Sequence, residues 1–232
     1  MIGDPTAFGA DVEPATAAAL ARYLEVLGRT NAVMNLTAAR DAAALAAHVR
    51  DALTLVPFVA APLVDVGSGG GFPALPLAIA CGIDVTLIES VAKKARFLRE
   101  ALVELGLGGE VRAERAEDAA RAPELRERFA TATARAVGPA TTVLELTVPF
   151  LRIGGAAVLQ RGRLSDEERA AVTDAALVLG AELEAELPAV AAGDDERRIL
   201  IVRKRRATGA RFPRRAGMPA RKPLCWSGGD DA

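Results

Sequence analysis

Lysine, cysteine, histidine and aromatic side chains are all scarce in this sequence, and each scarcity removes a class of function. Two cysteines, Cys81 and Cys225, cannot build a disulfide framework, and one histidine, His48, adds no metal-ligand spacing. Neither a stapled secreted fold nor a metal site is expected. Cys81 falls on an apolar helix and reads as a small core residue. No apolar run approaches the ~18 residues that suggest a bilayer span, and MIGDPTAFGADVEP has no basic segment ahead of an apolar stretch. A membrane span and a secretory leader are therefore not expected, and a cytoplasmic location is. Aromatic residues make up 4% of the chain, too few for base stacking to dominate affinity for a nucleic acid. Only four of the 29 basic residues are lysines, which with the abundant alanine reads as genomic composition. Acidic residues are absent from one stretch: between Arg197 and Lys222 there are eleven basic residues and no acidic one. The remaining 18 basic and 30 acidic residues leave the rest of the chain at −12, although the net charge is −1. Localised positive charge on an acidic body suits a polyanion, because it displaces counterions from phosphates. A solvated tail is the competing reading.

What the chain does have is apolar mass in a repeating order. Of 232 residues, 51% are hydrophobic, enough for one sizeable α/β domain. PATAAALARYLEVLGR (14–29) places Leu20, Tyr23, Leu24 and Leu27 at helical spacing. A connector, NAVMNLTAARD, leads to Asp41 as N-cap of a second helix that should end near Pro57. From residue 62 strands and helices alternate: PLVDVG, DVTLIES, EVRAERAED, TATARAV, AAVLQRG, AELEAELP and ERRILIVRK read as strands or strand and turn. FPALPLAIACG, AKKARFLREALVELGL, TTVLELTVPFLRIGG (helix and turn) and DEERAAVTDAALVLG read as the intervening helices. Such units imply a mostly parallel, doubly wound sheet. The expected organisation is a helical extension over 1–60, a core over 61–204 and a basic extension without periodicity over 205–232.

Within LVDVGSGGGFPALPLAIA (63–80), a buried strand enters four glycines among five residues and leaves as an apolar helix. Glycine weakens regular structure by roughly 0.5–1 kcal/mol, so a cluster at this seam marks a turn or a close ligand. In a doubly wound sheet that seam, at the carboxyl ends of the strands, is where ligands bind. A dinucleotide site requires G-x-G-x-x-G, whereas Gly67, Gly69 and Gly71 follow G-x-G-x-G and Phe72 holds the third dinucleotide position. Asp65 lies inside the strand, two residues before the first glycine, and Glu89 ends the second strand, 22 residues after Gly67. Glu117 and Asp118 follow the third. Acids at successive strand ends suit a cofactor with an ammonium, two ribose hydroxyls and an adenine edge. The D-x-G-x-G-x-G arrangement resembles the first motif of class I S-adenosylmethionine-dependent methyltransferases.

The resemblance narrows further. NLTAARD (35–41), AHVRDAL (47–53), DVGSGGGFPALPLAI (65–79), LIESVAKKARFLRE (87–100), RAED (115–118), ARAVG (134–138), DERRILIVRK (195–204) and FPRRAGMPARKPL (212–224) occur in that order. Together they resemble the RsmG family, also called glucose-inhibited division protein B, over residues ~20–224. The resemblance implies a Rossmann-like seven-stranded methyltransferase core with an N-terminal helical extension. It also implies methyl transfer from S-adenosyl-L-methionine to ring nitrogen N(7) of a guanine in the decoding-region loop of bacterial 16S rRNA. Carried over by position, the cofactor residues are Gly67, Phe72, Ala116, Glu117 and Arg135; Asp65, Gly69 and Gly71 are added from the D-x-G-x-G-x-G turn and Glu89 from its place at a strand end. Where many members have Lys-Gly after the fifth strand, this chain has Arg161-Gly162.

Ring N(7) of guanine already carries a free lone pair, so no general base is expected, and the expected catalytic contribution of Arg135 is to position the acceptor. The sequence shows no Pro-Cys nucleophile, and Ala136-Val137-Gly138-Pro139 replaces the Asn/Asp-Pro-Pro-aromatic motif of exocyclic amino methylases. His48 and Asp51 share a helix face without an assigned role. Lys93, Lys94 and Arg96 open the helix after Glu89 as further cations. Arg197, Arg214, Arg215 and Lys222 are the expected RNA contacts. The partner implied is 16S rRNA or the small ribosomal subunit, engaged by a monomer. A methyltransferase with another substrate, a nicotinamide oxidoreductase and a non-catalytic RNA-binding factor are the alternatives.

Overall fold

Successive strand residues alternate between two hydrophobic clusters, and that alternation produces three layers. Leu63, Val158, Ile199 and Ile201 belong to one cluster, and Val64, Leu159, Leu200 and Val202 to the other. A strand with apolar residues on both faces must be covered on both, which is the condition for a parallel sheet. The computed structural model describes residues 5–9, 11–34, 36–37, 39, 41–135, 137–189 and 196–224. Its strands are β1 (Leu63–Val66), β2 (Val85–Ile88), β3 (Gly109–Arg112), β4 (Phe129–Ala134), β5 (Leu151–Gly162), β6 (Ala181–Pro188) and β7 (Arg197–Lys204). They form one sheet in the order β3-β2-β1-β4-β5-β7-β6. The first five pair in parallel, and β7 runs antiparallel between β5 and β6.

Helices α1 (Pro14–Met34), α2 (Ala42–Leu53), α3 (Ala74–Cys81) and α4 (Ala92–Leu105) cover the first face and share its cluster. The second face carries α5 (Ala116–Ala119), α6 (Ala140–Thr147) and α7 (Asp166–Leu179). A last short helix, α8 (Met218–Arg221), lies in the C-terminal extension, whose Phe212 is buried in the second cluster. No helix among the described residues is long and apolar enough to cross a membrane.

Register fixes the functional edge. Val66 pairs with Ile88 on one side and with Ala134 on the other, so Gly67, Glu89 and Arg135 emerge side by side where β1, β2 and β4 end. The chain leaves β1 toward β2 on one side, while β4 lies on the other, so this edge is the topological switch point.

Four local expectations change. Helix α1 continues to Met34, into the stretch read as a connector, and the buried Asn31 folds the following residues back by bonding to Ala39 O and Thr37 N. Helix α2 does start behind Asp41, whose carboxylate accepts from Ala44 N, but it ends at Leu53. A separate 3-10 turn, Val56–Phe58, then holds Pro57. Strand β5 begins at Leu151, within the stretch assigned to helix and turn. A bulge between its pairings to Phe129 and Thr131 hides that start. Gly155 sits in the bulge, where a Cβ would stand 2.8 Å from Phe129 O, so the close approach requires glycine. Cys81 ends α3 half-buried rather than in the core, and Cys225 lies outside the described residues.

Candidate active site

A cavity of about 570 Å³ opens beside the ends of β1, β4 and β5. The glycine turn forms one wall through Gly67, Ser68, Gly69 and Gly70, and Phe72, His48 and Thr37 form another. Lys94, Arg135, Arg161 and Arg197 also reach it, and no carboxylate does among the described residues. Four cations converging on one concave surface make it a site for anions.

The turn owes its shape to positive φ at Gly67 (72°), Gly69 (54°) and Gly71 (97°), which side chains rarely adopt. The three do not play one role. Gly67 and Gly69 line the cavity, but a Cβ on Gly71 would meet Leu75 Cδ1 at 2.5 Å, so Gly71 faces the core. Gly70 lines the cavity instead, and the fully buried Tyr23 of α1 donates to its carbonyl at 2.8 Å. A Cβ on Gly67 would approach Val137 Cγ2 at 2.9 Å, so the loop after β4 also needs this glycine bare.

The acids lie deeper than their sequence positions suggest. Asp65 is fully buried beneath the turn, where Thr133 Oγ1 donates to Oδ1 at 2.7 Å and Oδ2 has no partner. Burial pushes its carboxyl up to about 7, against the opposing pull of the Thr133 hydroxyl, the neighbouring Ser68 hydroxyl and the Arg135 guanidinium. Both Glu89 oxygens accept backbone N–H groups, Oε2 from Gly69 at 2.9 Å and Oε1 from Val91 at 2.7 Å. Glu89 thus pins the turn to the end of β2. Ala116 and Glu117 open α5, both buried, and Glu117 Oε1 accepts from Gly217 N at 2.7 Å. Asp118 beside them is exposed.

Arg135 lies over the Phe72 ring, 4.7 Å from its centroid, and Phe72 meets Tyr23 and His48 edge-on at 5.4 and 5.5 Å. The guanidinium Nη1 is 3.6 Å from Asp51 Oδ2, and Arg197 Nη1 lies at the same distance from that oxygen. Gln160 holds Asp51, donating from Nε2 to Oδ1 at 3.1 Å, to the backbone oxygen and to Thr54 Oγ1. Arg161 Nη1 donates to Gly138 O at 2.8 Å across the rim. Burial, then Arg135, holds His48 below its ordinary value.

Not every expected RNA contact faces solvent. Arg197 belongs to the cavity. Arg214 is committed to Glu145, a fully buried carboxylate of α6, through Nε and Nη2 at 2.9 and 2.6 Å. The guanidinium expected to meet RNA is thus engaged by a buried carboxylate, whose charge would be left unpaired if it let go. Arg215 and Lys222 are exposed. Of the cations opening α4, Lys94 reaches the cavity, Lys93 is exposed, and Arg96 is exposed 3.7 Å from Glu100. Sequence reasoning gave no role to Gln160, Asp51 or Tyr23. Only the shared face of His48 and Asp51 hinted at the second.

A donor with an amino-acid end and a nucleoside end fits these residues. The bare turn admits a close backbone approach, and the unmet Asp65 Oδ2 is an acceptor that an ammonium would satisfy. Residues 16–199 match the family model described as rRNA small subunit methyltransferase G. A protein of Chloroflexus aggregans named ribosomal RNA small subunit methyltransferase G is 41% identical over 230 residues, covering 97% of each chain. One of the same name from Leuconostoc mesenteroides is 36% identical, covering 88% of this chain and 89% of that one. Among solved structures, an O-methyltransferase from Bacillus cereus in complex with SAH is similar with a TM-score of 0.55 and 20% identity, covering 79% of this chain and 91% of that one. A branched-chain polyamine synthase mutein from Thermus thermophilus reaches a TM-score of 0.57 at 14% identity, covering 86% and 70%. These two bear on the fold alone.

Proposed function

This chain belongs to the rRNA small subunit methyltransferase G family, and from that membership we propose that it methylates ring N(7) of a guanine in the decoding-region loop of 16S rRNA. S-adenosylmethionine supplies the electrophilic methyl group when bound. The observation that carries the reading is the bare glycine turn at the end of β1, with the unbonded Asp65 Oδ2 beneath it and, beside it, a cavity whose four cations suit an anionic RNA acceptor.

Gly67 and Gly69 let the cofactor lie against the backbone, and Asp65 balances its ammonium from below the turn. Phe72 carries Arg135, and Ala116 and Glu117 receive the adenosine end. Glu89, already holding Gly69 and Val91, has further lone pairs for ribose hydroxyls. Asp51 anchors Arg135 and Arg197 together, so two guanidiniums face the acceptor in a fixed relation and can fork a phosphate or the acceptor edge of guanine. Arg161 and Lys94 add charge at the rim. His48 stays neutral near pH 7 and moves no proton, because the N(7) lone pair needs no base. What the protein contributes is alignment of acceptor and methyl, worth on the order of 7–11 kcal/mol at most. Arg215 and Lys222 contact phosphates of the surrounding RNA. The proposed setting is the cytoplasm and the working unit one chain. Large exposed apolar residues, Val91, Val103, Ile153 and Leu177, are few among the described ones.

Mapping N(7)-methylguanine in 16S rRNA from cells with and without the protein tests the reading. Loss of one decoding-region signal on deletion, restored by wild-type protein and not by Arg135→Ala, is expected. An unchanged rRNA pattern, with labelled methyl appearing in protein or small molecules, overturns it.

A further inference from the structure

The C-terminal extension does not project from the molecule; it is bolted to α5, the loop after α5, and α6. Arg126 donates to Phe212 O at 2.9 Å and Thr208 O at 2.8 Å, and Arg121 to Pro213 O. Glu127 Oε1 receives both Thr208 N and the ammonium of the fully buried Lys204. Beyond Pro213, one cation organises everything that follows. Arg214 gives Glu145 three donors, including its own backbone N–H at 2.7 Å, and its Nη2 also donates to Lys222 O at 2.7 Å. The second bond closes residues 214–222 into a loop, and Thr142 Oγ1 clamps that loop at Pro219 O. Gly217, with φ 79°, sits inside it and aims its N–H at Glu117 Oε1.

We infer that this loop backs the adenosine end of the cofactor site through Glu117, outside the lining of the cavity described above, and that Arg214 is a positioning residue for Glu117. The inference rests on the reading above that Glu117 receives the adenosine end. A glutamate at the start of α5 has several staggered rotamers, and an entering ligand would have to select one. The Gly217 amide makes that selection in advance by occupying Oε1. Oε2 accepts no hydrogen bond among the described residues, which leaves it for the cofactor. Glu145 to Arg214, to the closed loop, to Gly217, to Glu117 is a continuous chain of hydrogen bonds from the core to the adenosine end. The same loop carries Arg215, Arg221 and Lys222 on its exposed side. Cofactor and RNA therefore meet one structural element from opposite sides, and each should tighten the other by the same factor.

The test uses full-length protein without RNA. Arg214→Met alone would strand a buried carboxylate, so the informative variant is Glu145→Met/Arg214→Met, because replacing a buried ion pair by apolar residues often preserves stability. It is expected to keep its cooperative melt and to raise the calorimetric Kd for S-adenosylhomocysteine about tenfold, the scale of one lost hydrogen bond to a charged group. KM for S-adenosylmethionine should rise in parallel, with kcat at saturation little changed. Arg214→Lys should recover less than half of the lost affinity, because it restores the charge without the fork. Arg215→Ala/Lys222→Ala should leave the S-adenosylhomocysteine Kd unchanged and weaken RNA binding. A folded double-Met variant with wild-type Kd overturns the inference. Should that variant not fold, hydrogen exchange at the Gly217 amide of wild-type protein decides. Slowing of about tenfold or more on saturation supports the inference, and an unchanged rate overturns it. Wild-type protein that binds no S-adenosylhomocysteine would instead sink the cofactor reading itself.

Discussion

Asp65 pits stability against binding within one side chain. Its folded pKa, about 7, lies above the ordinary 3.8, chiefly through burial. Because the folded state holds this proton more tightly than the unfolded state, the contribution is complete below about 3.8 and is lost as pH rises toward 7. Asp65→Asn should therefore flatten part of that slope in thermal melts between pH 5 and 8. At pH 8 it should raise Tm by about 2–4 °C for each kcal/mol recovered. Cofactor affinity should move the other way: an ammonium above the turn stabilises the carboxylate, so wild-type affinity rises from pH 6 to 8 and the Asn variant loses both affinity and pH dependence. A variant that melts lower at pH 8, or binds as well as wild type, contradicts the assignment. Tyr23→Phe offers an independent check. It deletes the donor to Gly70 O, costing about 1–3 kcal/mol of stability, and calorimetry should show several-fold weaker cofactor binding. At this scale the sequence was readable where a residue's place on a strand decided its neighbours, as with Asp65, Glu89 and Arg135. Gln160 and Tyr23 were not readable, since each acts on a partner 109 or 47 residues away.

Helices α3 and α4 show what local pattern can and cannot determine. Gly82 and Gly106 end them in the left-handed region, so those boundaries were visible as sequence. The beginning of β5 was not, because its bulge interrupts the alternation that identifies a strand. The end of α1 was hidden for another reason: Asn31 is a poor helix former by propensity but a good clip once the connector folds back on it. Helix α7 begins with a complete capping box, in which Ser165 and Glu168 each receive the other's backbone N–H. Ser165→Ala should cost about 1 kcal/mol in denaturant melts with cofactor and RNA affinity unchanged. Gly67→Val meets two obstacles in the turn, its φ of 72° and Val137 Cγ2 at 2.9 Å. The variant should bind cofactor at least tenfold more weakly, and a cofactor-soaked structure with normal occupancy would refute that.

Across the molecule as a whole, five of the eleven cations in the basic run are paired with the protein's own carboxylates. Arg203 and Arg205 pair with Glu184 and Glu182, Lys204 with Glu127, Arg214 with Glu145, and Arg197 reaches Asp51. Charge counted along the chain could not reveal this, because the partners come from β6, α6, α2 and the loop before β4. RNA affinity should consequently fall less steeply with salt than eleven cations would imply. Arg215→Ala/Lys222→Ala should reduce the slope of log K against log salt by about 1.4 if each side chain meets one single-strand phosphate. Arg203→Ala should leave that slope alone.

Glu145 also sets a timetable for synthesis. When the translating ribosome has released the chain through Lys204, all seven strands are present but the cation that neutralises this carboxylate is not. Until about ten more residues emerge, Glu145 lacks its guanidinium, and the second face is expected to pack loosely around the unpaired charge. Nascent chains stalled with residue 204 just outside the exit tunnel should be cut readily around α6 by protease, and those extended past 222 should resist.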